Sequence, residues 1–312
     1  MGREISSFHG FCGQSEIVQS LQEHCTGAMA KGSPLPHICL MGPSGMGKTE
    51  LANAVAKEMG VTFHSYFASP QSKRWQLSMA LAKIKKADIF FIDEIHALAD
   101  GVQECLYPAL DRLQVPLVDP ETNRIVENEW TQIQPFSLIV ATDQPGKLKN
   151  ALRQRLVLKL TLGDYSEREM RIIVGNRAAE IGVLLSPQAA TRIAQASLGG
   201  PRRARHILHS LHTCLEDLSV PVSKVAANRH LSSIGIDKDD LNSNDRAYLG
   251  VLARRGGFVS LETLAMQLGL DDITLKRDIE IQLTKREWVS VDSRGRSLTE
   301  KGQKFVQDRR LI

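Results

Sequence analysis

A chain of 312 residues exceeds one ordinary domain and has room for two or three, and its 42% hydrophobic and 24% charged residues exclude a disordered or fibrous class. Its 39 Lys plus Arg against 35 Asp plus Glu leave a net +4, which permits contact with nucleic acid without arguing for it. No apolar run approaches the roughly 20 residues of a membrane span, the amino terminus "MGREISSFHG" lacks the apolar stretch of a signal peptide, and five scattered cysteines, Cys12, Cys25, Cys39, Cys105 and Cys214, form no Cys-x-x-Cys pair; a cytoplasmic protein with reduced thiols and no membrane partner is expected.

In chain order, "HICLMGPSGMGKTELANAVAKEMG" predicts a buried strand over His37–Met41, a Gly-rich loop, and a helix that starts near Lys48 and stops at Gly60. "VTFHSYF", "ADIFFIDE" and "FSLIVATD" predict three more strands, the last over Phe136–Asp143, with helical patterns between them. Uniformly apolar strands alternating with helices predict an α/β fold, a parallel sheet covered on both faces. After Lys159 the strand signals stop. "SEREMRIIVGNRAAEIG" opens on a capping box, Ser166 with Glu169, and closes at Gly182; "SPQAATRIAQAS" has Ser186 as its cap and Pro187 at its first position; "PRRARHILHSLHTCLEDL" is a third helix. From about Asn244 three more helices, "DRAYLGVLA", "LETLAMQLG" and "ITLKRDIEIQLTKR", precede "WVSVDSRGRSLTEKG", which predicts two short strands around an Arg-Gly-Arg turn, hence a winged helix. The expected division is a nucleotide-binding core over 1–162, a helical lid over 163–242 and a winged helix over 243–312.

The segment "GPSGMGKT", Gly42 to Thr49, satisfies every fixed position of the phosphate loop Gly-x-x-x-x-Gly-Lys-Thr, which predicts a bound nucleoside triphosphate with Mg2+. Gly42, Pro43, Ser44, Gly45, Met46 and Gly47 would form the ATP-binding loop, all but Pro43, which has no N–H, able to present a backbone N–H to the phosphates. Lys48 would reach the outer phosphate oxygens, Thr49 would ligate the metal, and Glu50 would follow in the first turn of the helix. Forty-five residues after Lys48 comes Asp93, at the end of the apolar run Ile89 to Ile92, suited to a metal ligand, with Glu94 beside it to polarise the attacking water. The letters Asp-Glu-Ile-His would also spell a helicase box, but that architecture needs a second parallel lobe and this chain turns helical after 160. His96 reads as a structural hydrogen-bonding group beside the metal rather than a proton-transfer group.

From Asp245 to Ile312 there are 13 Lys plus Arg and 10 Asp plus Glu, a net +3 that holds much of the whole chain's excess. Lys276 and Arg277, with Lys285 and Arg286, fall on the third helix of the winged helix, and Arg294 and Arg296 flank Gly295 at the wing tip. Cations there would take DNA phosphates or the minor groove, with salt-sensitive affinity and little sequence preference.

Beyond the acidic pair the chain resembles the AAA+ ATPases: "IVATDQ" stands where that family keeps a sensor, "ALRQR" where it carries an arginine finger, and "GGPRRARHIL" where a lid helix begins. Nine segments, among them "CGQSEIVQSL", "IFFIDEIHAL", "ECLYPAL", "GGFVSLETLAMQLG" and "RGRSLTEKG", resemble the RuvB family in the same order and at similar spacing, over nearly the whole chain. The resemblance implies a P-loop AAA+ core, helical lid and winged helix. It also implies a hexameric, homo-oligomeric ring that hydrolyses ATP to drive branch migration of Holliday junction DNA. By position it makes Arg155 the finger, places Tyr165 and Arg202 on the nucleotide from the lid, sets Asp111 and Arg112 toward a neighbouring subunit's nucleotide, and puts Phe11 to Gln14, including Cys12, near the adenine.

Several positions depart from that family. Ser44 and Met46 replace Pro and Leu, "DRFG" is here "QRLV", and Asp143 stands where the family has Thr and many relatives Asn. An anion facing a γ-phosphate is unfavourable unless paired or turned away, so sensing is expected to fall to Thr142. "VPLVDPETNRIVENEWTQIQ" corresponds to the hairpin through which RuvB meets RuvA, but its charged character leaves a RuvA-like partner open. Two other functions stay open beside the motor: a diverged paralogue that remodels or loads proteins, and a nucleotide-gated DNA-binding regulator with weak hydrolysis.

Overall fold

The computed structural model describes residues 7–311; residues 1–6, part of the amino-terminal stretch that lacks a signal peptide's apolar run, lie outside the described residues. The chain divides into two compact units, Met1–Ile173 with Gly200–Arg202, and Val174–Gly199 with Arg203–Ile312. Among the described residues no helix is long and apolar enough to cross a membrane.

In the first unit the strands are β1 (Ile38–Met41), β2 (Phe63–Phe67), β3 (Ile89–Asp93), β4 (Gln114–Val118), β5 (Ile125–Gln132), β6 (Ser137–Thr142) and β7 (Leu158–Thr161). Five of them form one sheet in the order β2-β3-β6-β1-β7, every neighbouring pair parallel. All six residues of β6 and the first four of β3 are buried, because a central strand of a parallel sheet is covered on both faces. Their side chains pack with Leu77, Leu81, Leu106 and Leu152 from the flanking helices. Each such side chain contributes about 1.5–3 kcal/mol by leaving water. Strands β4 and β5 form a separate antiparallel hairpin whose register shifts between Pro116 and Val118.

The expectation that strands stop after Lys159 is corrected by β7. This strand sits at the sheet edge and is half-buried at Leu158 and Leu160 but exposed at Lys159 and Thr161. A short alternating edge strand carries far less apolar signal than β3 or β6.

Just before β3, Asp88 is buried and accepts hydrogen bonds from His64 Nε2 at 2.7 Å and from the backbone N–H groups of Lys85 and Thr62 at 3.0 and 3.2 Å. Burial alone would raise its pKa; the His64 bond and the two N–H groups outweigh it and hold the carboxyl below the ordinary range. A depressed carboxyl contributes stability above its unfolded pKa, near 4, and loses it as pH falls through the lower folded value. Asp88→Asn is therefore expected to cost about 1–3 kcal/mol at neutral pH. In urea melts the gap from wild type should narrow steadily below about pH 4.

In the second unit, Ser186 Oγ caps the helix Pro187–Ala196, accepting the N–H of Ala189 at 3.2 Å, as expected from the Ser-Pro pair. The winged helix opens with Ser243–Arg255, capped reciprocally by Asn242 and Asp245, and continues with Leu261–Leu268. Its third helix runs over 272–285 with a π-helical middle, Leu275–Glu280. The antiparallel strands β8 (Val289–Asp292) and β9 (Gly295–Leu298) form the wing, and a helix absent from the sequence reading, Glu300–Arg309, comes next, capped by Thr299. Tyr248, Leu252, Leu264, Leu275 and Leu283 fill its core.

The segment Asp237 to Asp240 gathers arginines from several helices of this unit. Asp240 pairs with Arg192 at 2.5 Å, Asp237 with Arg246 at 2.6 Å and Asp239 with Arg309 at 2.6 Å. All five cysteines are free thiols, and burial pushes Cys25 up to about 12 and Cys39 and Cys105 to about 11.

Candidate nucleotide site

Parallel strands share one direction, so the carboxyl ends of β1, β3 and β6 open onto the same rim, and the loop Gly42 to Gly47 leaves β1 there. Gly42, Gly45 and Gly47 have φ of 134°, 82° and 92°. A Cβ on Gly42 would stand 2.6 Å from the Leu162 carbonyl oxygen and one on Gly45 2.6 Å from the Cβ of Arg202, so the spacing of glycines in the sequence reflects a loop no larger residue fits. The helix Lys48–Met59 begins at the end of the loop, with Thr49 and Glu50 exposed in its first turn. Its N-terminus favours an anion.

Lys48 is buried, and its Nζ donates to the carbonyls of Gly42 at 2.7 Å and Pro43 at 2.9 Å. Burial lowers its pKa, while Glu94, Asp143 and Asp93 pull it back up. Thr49 Oγ1 donates to Asp93 Oδ2 at 3.2 Å, so the two residues expected to hold a metal meet at the tip of β3. Asp93 Oδ1 accepts the N–H of Glu94 at 3.0 Å. The Glu94 carboxyl is raised above the ordinary range, first by burial and then by the like charge of Asp143, with His96 and Lys48 opposing. These residues fit a magnesium nucleoside triphosphate: a glycine cradle, a cation, and a hydroxyl and a carboxylate converging on one point.

Thr142 is fully buried. Its hydroxyl accepts the N–H of Gln144 at 2.9 Å and lies 3.1 Å from His96 Nδ1, so it is engaged within the strand tips. His96 thus forms the structural hydrogen bond read from the sequence; Gln144, 3.1 Å from its Nε2, was not singled out.

Around the loop, Tyr165 is buried and donates its hydroxyl to the Met46 carbonyl at 2.8 Å. Arg202 Nη1 donates to Ser44 Oγ at 2.7 Å. Gln14 and Gly163 exchange two hydrogen bonds, at 2.7 and 3.1 Å, and Cys12 Sγ lies 3.6 Å from the Glu169 carbonyl. Phe11 is packed near Gly47, its ring carbons 3.5 Å from where a Cβ would stand. The structure thus brings Phe11, Tyr165 and Arg202 to the phosphate loop from segments far apart in sequence, while the contact of Cys12 is with the Glu169 carbonyl.

Arg155 ends the helix Asn150–Arg155 and belongs to a second cluster. Its Nε and Nη2 clamp the two oxygens of Asp111 at 2.8 and 2.6 Å, Nη1 donates to the Ala151 carbonyl at 2.7 Å, and the guanidinium lies 4.8 Å from the Tyr107 ring centre. Asp111 and Arg112 are both exposed at the end of the helix Leu106–Arg112.

A family model described as the Holliday junction DNA helicase RuvB P-loop domain matches residues 4–162, and one for the RuvB C-terminal winged helix domain matches residues 238–307. The chain belongs to the RuvB family of P-loop ATPases. Among its curated relatives, the Holliday junction branch migration complex subunit RuvB of Paramagnetospirillum magneticum is 32% identical over 98% of this chain and 89% of its own length. That of Gluconobacter oxydans is 34% identical over 95% and 85%. Among solved structures, the Thermotoga maritima RuvB Holliday junction branch migration motor superposes with a TM-score of 0.82 at 30% identity, covering 97% of each chain.

In this RuvB-family winged helix the wing carries one exposed arginine, not two. Arg294 is exposed, paired with Asp292 at 2.9 Å and lying 4.0 Å from the Phe258 ring centre. The expectation that Arg296 shares the tip is corrected: its guanidinium turns inward to Glu280 at 2.8 Å, with both side chains largely buried, and Tyr248 donates to the same carboxylate at 3.0 Å. Lys276 and Arg277 are exposed on the third helix. Removing one partner of a buried pair strands the other charge, so Glu280→Ala should lower the stability of the winged helix by about 3–5 kcal/mol, read by denaturant unfolding.

Proposed function

We propose that this chain binds ATP with Mg2+ at the phosphate loop and hydrolyses it within a homo-oligomeric ring, a hexamer, to drive branch migration of Holliday junction DNA in the cytoplasm. The observation that carries the reading is the meeting of Thr49 with Asp93, beside Glu94 and Lys48, at the end of the glycine cradle. The metal, when bound, neutralises charge on the outer phosphates; Thr49 and Asp93 would hold it.

Lys48 exchanges its two loop carbonyls for phosphate oxygens. Glu94 orients a water and accepts its proton. Tyr165 and Arg202 anchor the lid side of the loop, and Asp143, with its charge, is not a phosphate ligand. Arg155 leaves Asp111 to reach the nucleotide of a neighbouring copy, where Asp111 and Arg112 also face. The division into core, lid and winged helix at 162 and 242 gives each task its own part. Lys276, Arg277 and Arg294 contact DNA phosphates.

Support for a RuvA-like partner comes from the β4–β5 hairpin, which exposes Leu117, Ile125 and Trp130 despite its charged tip. Three exposed apolar side chains on one short hairpin are the kind of surface a partner covers.

The test is steady-state ATP turnover with and without a four-way DNA junction. Stimulation by the junction is expected, together with a steep salt dependence of junction affinity whose log–log slope becomes shallower by about one unit in Arg294→Ala. No binding to any DNA at low salt would overturn the assignment.

A further inference from the structure

The carboxylate of Glu94 is not left to solvent, and the way it is held is specific. Glu94 sits at φ 53°, a left-handed conformation that is strained for a glutamate, and the short turn Ile95–Ala97 just after it brings His96 back over it. The His96 side chain is only 12% exposed and is addressed on both ring nitrogens. Its Nε2 faces the Gln144 amide nitrogen at 3.1 Å, and a nitrogen that accepts from an amide carries no proton in the neutral ring. In the neutral ring this arrangement puts the proton on Nδ1. Three oxygens stand around that one N–H: Thr142 Oγ1 at 3.1 Å, a Glu94 carboxylate oxygen at 3.3 Å and Asp143 Oδ1 at 3.7 Å. Gln144 also donates to Asp143 at 3.3 Å, tying the fourth member into the set.

We infer that His96 is a positioning residue that holds Glu94 through its Nδ1–H, and that Asp143 competes for the same N–H and loosens that hold. The inference rests on Glu94 being the water-activating group proposed above. It accounts for a carboxylate at Asp143: on this geometry it acts on the base through a histidine and not on the phosphate. The partners named for His96 are strand-tip residues, so its loss should fall on turnover and spare nucleotide affinity. A carboxylate displaced by about 1 Å from its working position costs on the order of 100-fold in rate.

Three substitutions at one position separate positioning from packing. Asn places an amide nitrogen where Nδ1 stands, Gln places one where Nε2 stands, and Ala removes both. His96→Ala and His96→Gln are expected to lower kcat by about 30- to 100-fold with KM for ATP within about threefold, whereas His96→Asn should keep at least about a third of the wild-type kcat. Asp143→Asn should raise kcat by about threefold in the wild-type background and have a clearly smaller effect in the His96→Ala background, where the one link left is the charge of Asp143 on Glu94. In the nucleotide-free protein, 15N-histidine NMR should show His96 protonated at Nδ1, and that signal should move in Glu94→Gln. Equal loss of kcat in Ala, Gln and Asn, no loss in any of them, or a His96 proton on Nε2 would each overturn the inference. Absence of ATP turnover in the wild-type chain would instead overturn the function proposed above, so the two failures are distinguishable.

Discussion

Glu94→Gln is expected to lower ATP turnover by at least about 100-fold while leaving nucleotide affinity within a few fold. The substitution keeps the size of the side chain and removes its basicity. Glu94 is not among the groups that form the cradle: the loop is held by its glycines, by Lys48 on the Gly42 and Pro43 carbonyls, and by Tyr165 and Arg202 on Met46 and Ser44. Those contacts survive, so binding survives. What goes is a carboxylate beside Thr49 and Asp93, with a pKa raised by burial and by Asp143 and a basicity raised with it. Single-turnover hydrolysis and binding of a fluorescent ATP analogue separate the two effects. Retained turnover would remove Glu94 from the chemistry.

The second large effect is expected at Arg155. An arginine supplied to a neighbouring nucleotide is worth about 1,000-fold or more in turnover, so Arg155→Ala rings should be nearly inactive, and variant subunits mixed into wild-type rings should depress turnover more than in proportion. The in-chain role of Arg155 cannot explain such a loss. Its clamp on Asp111 lies at the surface, with side chains 28% and 44% exposed, and a pair of that kind contributes about 0–1 kcal/mol to folding. Arg155→Ala should therefore melt within a few degrees of wild type. A strictly proportional mixing curve would remove catalysis across a subunit interface from the mechanism.

The readable parts of this protein were those whose signal is local. The phosphate loop is legible because the left-handed conformations and the close approach of Leu162 to Gly42 demand glycine at fixed spacing, and β3 and β6 because burial on both faces requires an unbroken apolar run. Strand β7 escaped because an edge strand with Lys159 and Thr161 exposed has no such run. Long-range pairing was the other blind spot. The Glu280 that draws Arg296 inward is 16 residues away, and Asp111 is 44 residues from Arg155. A cation's spacing from a turn says nothing of a partner on another element. The same holds for the contact of the Thr142 hydroxyl with His96, 46 residues back on the neighbouring strand tip. The family resemblance covered these gaps for the fold, since the core and winged helix it implied are the domains the family models match.

The most direct measurement of the central claim is real-time strand exchange of a mobile four-way DNA junction, labelled so that fluorescence reports displacement of one arm, with the 312-residue chain, Mg2+ and ATP, with and without a RuvA protein. ATP-dependent displacement is expected in wild type and none in Glu94→Gln, although that variant still binds both ATP and the junction. Displacement at equal rates without ATP, or ATP turnover that never moves the junction under any of these conditions, would contradict a branch-migration motor.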